Sequence, residues 1–200
     1  LYEPSYLRAC LNALRESPHA VVSYTTAKLI DEHDTVCGKY QDPVVVHNAC
    51  PVERLRGVLS DPHSWCHATM GLTRTQVLRQ TRLVGGYIGS DHVLMAELAL
   101  QGDFIQLPEP LFLRRVHGGQ SPSLQANPTA ESLAAWYDSR NTRGVACPRM
   151  RLLVEHIRAV HRAPLTLRQR WACYQLLRTT SAAGNWTVGM VLGELKRVLR

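Results

Sequence analysis

The chain has 200 residues, 45% of them apolar, with 23 Lys and Arg against 16 Asp and Glu for a formal net charge of +7. This is enough chain for one to two globular domains with a sizeable core, which excludes a disordered or fibrous protein. Six cysteines at positions 10, 37, 50, 66, 147 and 173 show no Cys-x-x-Cys spacing, so no disulfide framework is expected and a reducing, cytoplasmic setting fits best. No run approaches the ~20 apolar residues needed to span a bilayer, and no signal-peptide pattern opens the chain.

In chain order, a helix is expected from about Pro4 to Arg15, followed by a β-rich run from Val21 to Ile30. Residues Asp31 to Pro43 read as a polar loop, in which Asp31, Glu32 and Asp34 form a solvated acidic turn. Pro51 to Leu59 starts a helix with Pro at its first position, and Thr73-Arg74-Thr75-Gln76 has the form of a capping box for the next.

The stretch Ser90 to Ser121, SDHVLMAELALQGDFIQLPEPLFLRRVHGGQS, is the most informative. Ser90 is expected at the N-cap, with Asp91 as the first helical residue, where free amides and the helix dipole favour a carboxylate. Val93, Leu94, Ala96, Leu98 and Leu100 supply a broad buried face, and Gly102 supplies the stop. A strand from Phe104 to Leu107 leads through Pro108-Glu109-Pro110 to a second apolar strand ending in Arg114-Arg115-Val116-His117. Alternation sends Arg115 and His117 to one face and Arg114 to the other. Glu97, six residues after Asp91, is expected to be structural.

Residues 1–128 hold eleven Lys and Arg against twelve Asp and Glu, or −1, whereas residues 129–200 hold twelve against four, or +8. Together with Gly118-Gly119, Ser121-Pro122-Ser123 and Asn127-Pro128, this places a boundary near residue 127. The remainder reads as amphipathic helices: Met150, Leu153, Val154 and Ile157; then Leu167, Trp171 and Tyr174; then Val188, Val191, Leu192, Leu195, Val198 and Leu199 beside Lys196, Arg197 and Arg200. That last helix suits an anionic membrane interface as well as a protein core. Nucleic acid is not expected, because tail aromatics are few and no recognition motif appears.

The order D-x-x-L-x-x-E-L-A-L-x-G followed by L-P-E-P-L-x-x-R-R-x-H-x-x-x-S resembles the C-terminal half of the catalytic domain in family 2 glycosyltransferases. Glu3-Pro4-Ser5-Tyr6-Leu7 is similar to the segment that follows the family's D-x-D motif, AVVSYTTAKLID to its next strand, and Cys66 to Arg74, CHATMGLTR, to its G-x-x-R loop. The resemblance implies an α/β fold: residues 1–127 as the acceptor-side half of a Rossmann-like GT-A domain, and residues 128–200 as a basic, all-helical extension. It implies an inverting enzyme that transfers a sugar from a nucleotide-diphospho-sugar donor to a hydroxyl acceptor, a glycan, a lipid-linked molecule or another, with a divalent metal, Mn or Mg. Asp91 corresponds to the general base and His117 to the late histidine near metal and diphosphate. Arg114, Arg115, Gly71, Trp65 and Ser121 are candidate substrate-binding residues.

The expected location is cytoplasmic, with peripheral contact at the inner face of the membrane through the C-terminal helices. The family's donor-binding half and its D-x-D motif would precede Leu1, so residues 1–200 by themselves are not expected to bind nucleotide-sugar. The alternative is a non-catalytic fragment or an anionic-surface module. Asp61, His63, Cys66 and His67 lie within seven residues. Zinc sites usually draw ligands from two separated pairs, so zinc is not expected there.

Overall fold

A computed structural model describes residues 1–40, 46–60, 66–87, 89–117 and 148–179, together with Gly193 and Lys196. The expected boundary near Asn127-Pro128 lies outside the described residues, as does almost all of the last amphipathic helix.

The chain is mixed α/β. Helix α1 (Tyr6–Glu16) leads into β1 (Ala20–Ile30), the centre of a four-stranded sheet. Strand β4 (Asp103–Arg115) runs parallel along one edge of β1, from Ala20 opposite Asp103 to Ile30 opposite Arg115. On the other edge, β3 (Leu72–Thr73) pairs antiparallel with Val22 and Ser23, and β2 (Val36–Tyr40) pairs antiparallel with Ala27 to Ile30. The nearly unbroken run of buried residues in β1 follows from this central place, with neighbours on both edges and helices on both faces.

Strand β2 corrects the polar-loop expectation for residues 31–43. Asp31 closes the turn by accepting the N–H groups of His33 (2.8 Å) and Thr35 (2.9 Å), and Asp34 takes the left-handed region at φ 64°. An aspartate-built turn therefore brings a polar, mostly exposed segment onto the edge of β1. The two strands expected around Pro108-Glu109-Pro110 are one strand with a bulge: Thr25 faces Leu107 and Ala27 faces Phe112, so four residues of β4 lie opposite Thr26 alone. The Thr26 hydroxyl donates to the Pro108 carbonyl at 2.9 Å, holding the bulge where proline cannot join the ladder. Residues 1–3 lie along the outer edge of β4, with the Glu3 N–H on the Leu111 carbonyl at 2.9 Å.

Helices α2 (Pro51–Ser60), α3 (Cys66–Thr69) and α4 (Thr75–Leu78) precede α5 (Ser90–Ala99), which drops into β4. The expected capping box at Thr73 does not form. Arg74 is the N-cap of α4, without a side-chain cap bond, because Thr73 is already in the sheet. A reciprocal box occurs instead at Thr166 and Gln169: the Thr166 N–H reaches the Gln169 side chain at 3.0 Å, and the Gln169 N–H reaches the Thr166 hydroxyl at 3.3 Å. This box starts α7 (Leu167–Thr179), the partner of α6 (Pro148–Arg162).

Those two helices do not stand apart. Helix α6 packs on α5, and α7 packs on α2. Leu152, Val160, Cys173, Leu176 and Leu177 join Val22, Tyr24, Leu55, Val58, Met95 and Leu98 in one continuous core. Helix α5 is accordingly buried almost all round rather than on one face, and each of its fully buried aliphatic side chains contributes roughly 1.5 to 3 kcal/mol. A second, smaller core joins Tyr6 and Cys10 of α1 to Ala27 and Phe112. No described helix is long and apolar enough to cross a membrane.

Candidate functional site

The first turn of α5 is built differently from the sequence expectation. Gly89, not Ser90, is the N-cap, with φ 78° in the left-handed region. A Cβ there would stand 2.9 Å from a methyl carbon of Leu152, which could give way, so the left-handed backbone is what favours glycine. Ser90 is the first helical residue, fully buried, its hydroxyl without a hydrogen-bond partner. Asp91 follows, half-buried, and its carboxylate accepts one hydrogen bond, from the adjacent His92 N–H at 3.1 Å. Gly102 is not the left-handed stop expected of it, and close packing requires glycine there instead. An added Cβ would lie 2.4 Å from Val21 Cγ1 and 2.5 Å from the His19 carbonyl.

Around this turn the remaining acids are occupied. Glu97, 4% exposed, accepts the Arg82 N–H at 3.0 Å and pairs with Arg162 of α6. Glu155 of α6, equally buried, pairs with Arg158 at 2.8 Å and approaches Arg82 at 3.8 Å. Tyr87 sits in the same network under Arg151, whose guanidinium lies 4.9 Å from the ring centroid. Burial and the two glutamates push its hydroxyl up to about 12. The segment from Arg82 to Gly89 that delivers Asp91 is thus tied to α6 through charges and through Leu152.

At the far end of β4, Arg114 and Arg115 diverge as alternation requires. The Arg114 guanidinium lies 5.7 Å from the Tyr40 ring centroid and pairs with no carboxylate among the described residues. Arg115 donates to the Asp31 carbonyl at 2.6 Å and pairs with Asp34, so it fastens the β1–β2 turn. His117 stands exposed just beyond the ladder, after Val116 donates to the Ile30 carbonyl at 2.8 Å. Asp91 and His117 share no contact. Asp91 lies in the first turn of α5, whereas His117 follows the end of β4, beyond the Ile30 pairing.

Gly71 is a packing residue: a Cβ would stand 2.8 Å from the Ser23 carbonyl and 3.0 Å from that of Ala68. Arg74 has a similar structural task, donating to the Ala20 carbonyl at 2.7 Å and to that of Leu14 at the end of α1. Trp65 and Ser121 lie outside the described residues.

Sequence reasoning missed the role of His67. It is 1% exposed, edge-on to Tyr40 at 4.4 Å and to Phe112 at 5.2 Å, and neither ring nitrogen has a hydrogen-bond partner. Burial, with Arg114 nearby, lowers it to about 4, so the ring is neutral at pH 7. Tyr2 and Tyr6 extend the same aromatic cluster, both donating to the Met70 carbonyl at 3.2 Å. Among the described residues, no three His, Cys, Asp or Glu side chains group as a metal site. Neither a model of a known protein family nor a curated protein sequence matches this chain.

Proposed function

We propose that this chain is the acceptor-side part of an inverting glycosyltransferase with a GT-A type domain, in which Asp91 is the general base. The observation that carries the proposal is the state of Asp91. Among the described residues it is the half-buried carboxylate that holds neither a cation nor a turn, whereas Glu3, Asp103 and Asp31 are engaged by Lys28, by Arg54 with His47, and by the turn amides respectively. An acceptor hydroxyl is a poor nucleophile. A carboxylate within hydrogen-bond reach takes its proton as the new oxygen–carbon bond forms at the anomeric centre and the bond to the diphosphate oxygen breaks. Attack from the face opposite the leaving group inverts that centre. The order of motifs from Ser90 to Ser121 supports the same reading.

Arg114 suits the leaving group, because a guanidinium that meets no carboxylate among the described residues can offset charge developing on a diphosphate. Arg115 and Gly71 are withdrawn from substrate binding in this proposal, since both are committed to holding the sheet. The divalent metal, Mn or Mg, enters through the resemblance and through His117 alone. The described residues do not by themselves make up its ligand set.

The proposal is tested by supplying the intact protein with a panel of nucleotide-diphospho-sugars plus candidate glycan and lipid-linked acceptors, and measuring release of nucleoside diphosphate. Acceptor-dependent release is expected for one donor, and Arg114→Gln should lower turnover more than it lowers acceptor affinity. A complete absence of release and of donor binding across the panel would favour a non-catalytic chain.

A further inference from the structure

The α6–α7 hairpin carries seven arginines and a single acid within residues 148–179. That acid, Glu155, is buried and paired with Arg158. Arg168 and Arg178 are exposed, and Arg151, Arg158 and Arg162 keep a solvent-facing part while contacting Tyr87, Glu155 and Glu97, so the hairpin surface is cationic on balance. It is also apolar in a way that solvent does not reward. Leu167 is 82% and Trp171 65% exposed, one turn apart on α7, and Val154 and Ile157 are 37% and 40% exposed, one turn apart on α6. Both helices are anchored by their other faces, α6 on α5 and α7 on α2, so these side chains are presented outward by a fixed scaffold.

We propose that this side of the α6–α7 hairpin docks the chain peripherally on an anionic phospholipid surface. Trp171 and Leu167 enter the boundary between headgroups and acyl chains, and the arginines meet lipid phosphates. An indole suits that boundary because one edge is apolar and the other hydrogen-bonds. Guanidinium groups bind phosphate oxygens in a forked geometry, and a negative surface concentrates them. A nucleic acid would use the arginines and could stack on Trp171, but it would gain nothing from Leu167, Val154 and Ile157. A second copy of the chain would have to bring two such cationic surfaces together. The inference stands whether or not the chain transfers sugars.

The test is flotation of the 200-residue chain with vesicles of phosphatidylcholine alone and of an equal mixture with phosphatidylglycerol, at low and high salt. Recovery is expected with the anionic vesicles, falling at high salt. The double variant Leu167→Ser with Trp171→Ser should weaken it about tenfold or more, and Arg168→Gln by about fivefold. Both variants should melt like the parent by circular dichroism, since the altered side chains face solvent. Four results would overturn the proposal: equal recovery with neutral vesicles, no recovery with either kind, undiminished recovery of the double variant, or a concentration-dependent dimer in sedimentation that the double variant abolishes.

Discussion

Two buried polar regions sit on this sheet and are treated in opposite ways. Between α5 and α6, each buried carboxylate has its cation: Glu97 has Arg162, and Glu155 has Arg158. His156, fully enclosed there, has one ring nitrogen 2.8 Å from the Leu152 carbonyl. Between β2 and β4, His67 of α3 is enclosed by Tyr40 and Phe112, and its ring nitrogens have no hydrogen-bond partner among the described residues. The first region is built to hold charge and so ties the Asp91 turn to α6. The second is built like an apolar core and tolerates a histidine only while it stays neutral.

Removing charge should therefore damage the first region most. Glu97→Ala strands Arg162, which is only one-third exposed, and leaves the Arg82 N–H unsatisfied. A loss of about 3 to 4 kcal/mol is expected in denaturant unfolding. A loss under ~1 kcal/mol would show that the network is a surface ornament.

Acid should act on both regions. His67 and His156 are each lowered to about 4 by burial, below the unfolded value near 6.5. As pH falls through 6.5 the unfolded chain takes up protons that the folded chain refuses. Stability is then full above pH 6.5, declines toward pH 4 and levels below it, by up to about 3 kcal/mol for each ring. Chemical denaturation across that window measures the slope, and His67→Phe should remove the His67 share while leaving that of His156. An unchanged slope in His67→Phe would place the acid sensitivity elsewhere.

Gly89→Ala comes next in size, with about 2 kcal/mol expected from a left-handed backbone and the displaced Leu152. The smallest effect is His67→Phe at neutral pH. Because neither ring nitrogen is satisfied, an isosteric apolar ring should change stability by no more than ~1 kcal/mol, toward greater stability. Loss of several kcal/mol would mean that His67 holds a partner after all.

The helices and β1 were legible because burial on one or both faces writes itself into apolar spacing, as in AVVSYTTAKLI and the α5 run. Strand β2 was not, since VCGKY is an exposed edge whose only signal is the aspartate turn before it. The single continuous core was hidden by the charge change, which reports what faces solvent and says nothing about Leu152 or Cys173 facing α5 and α2. The Asp91 turn was legible as a helix start, yet Gly89 rather than Ser90 caps it, because the cap takes a left-handed backbone that apolar spacing does not announce. The contacts of Arg115 were not legible either, since Asp31 and Asp34 are distant from it in sequence.

The most direct test of the account is turnover and donor affinity of the intact protein with Asp91→Asn. The substitution keeps size and hydrogen bonding but removes the proton acceptor, so turnover should fall ~10²-fold or more, while calorimetric affinity for the nucleotide-diphospho-sugar stays within about twofold of the parent. Turnover equal to that of the parent would remove Asp91 from the role of base and with it the central claim.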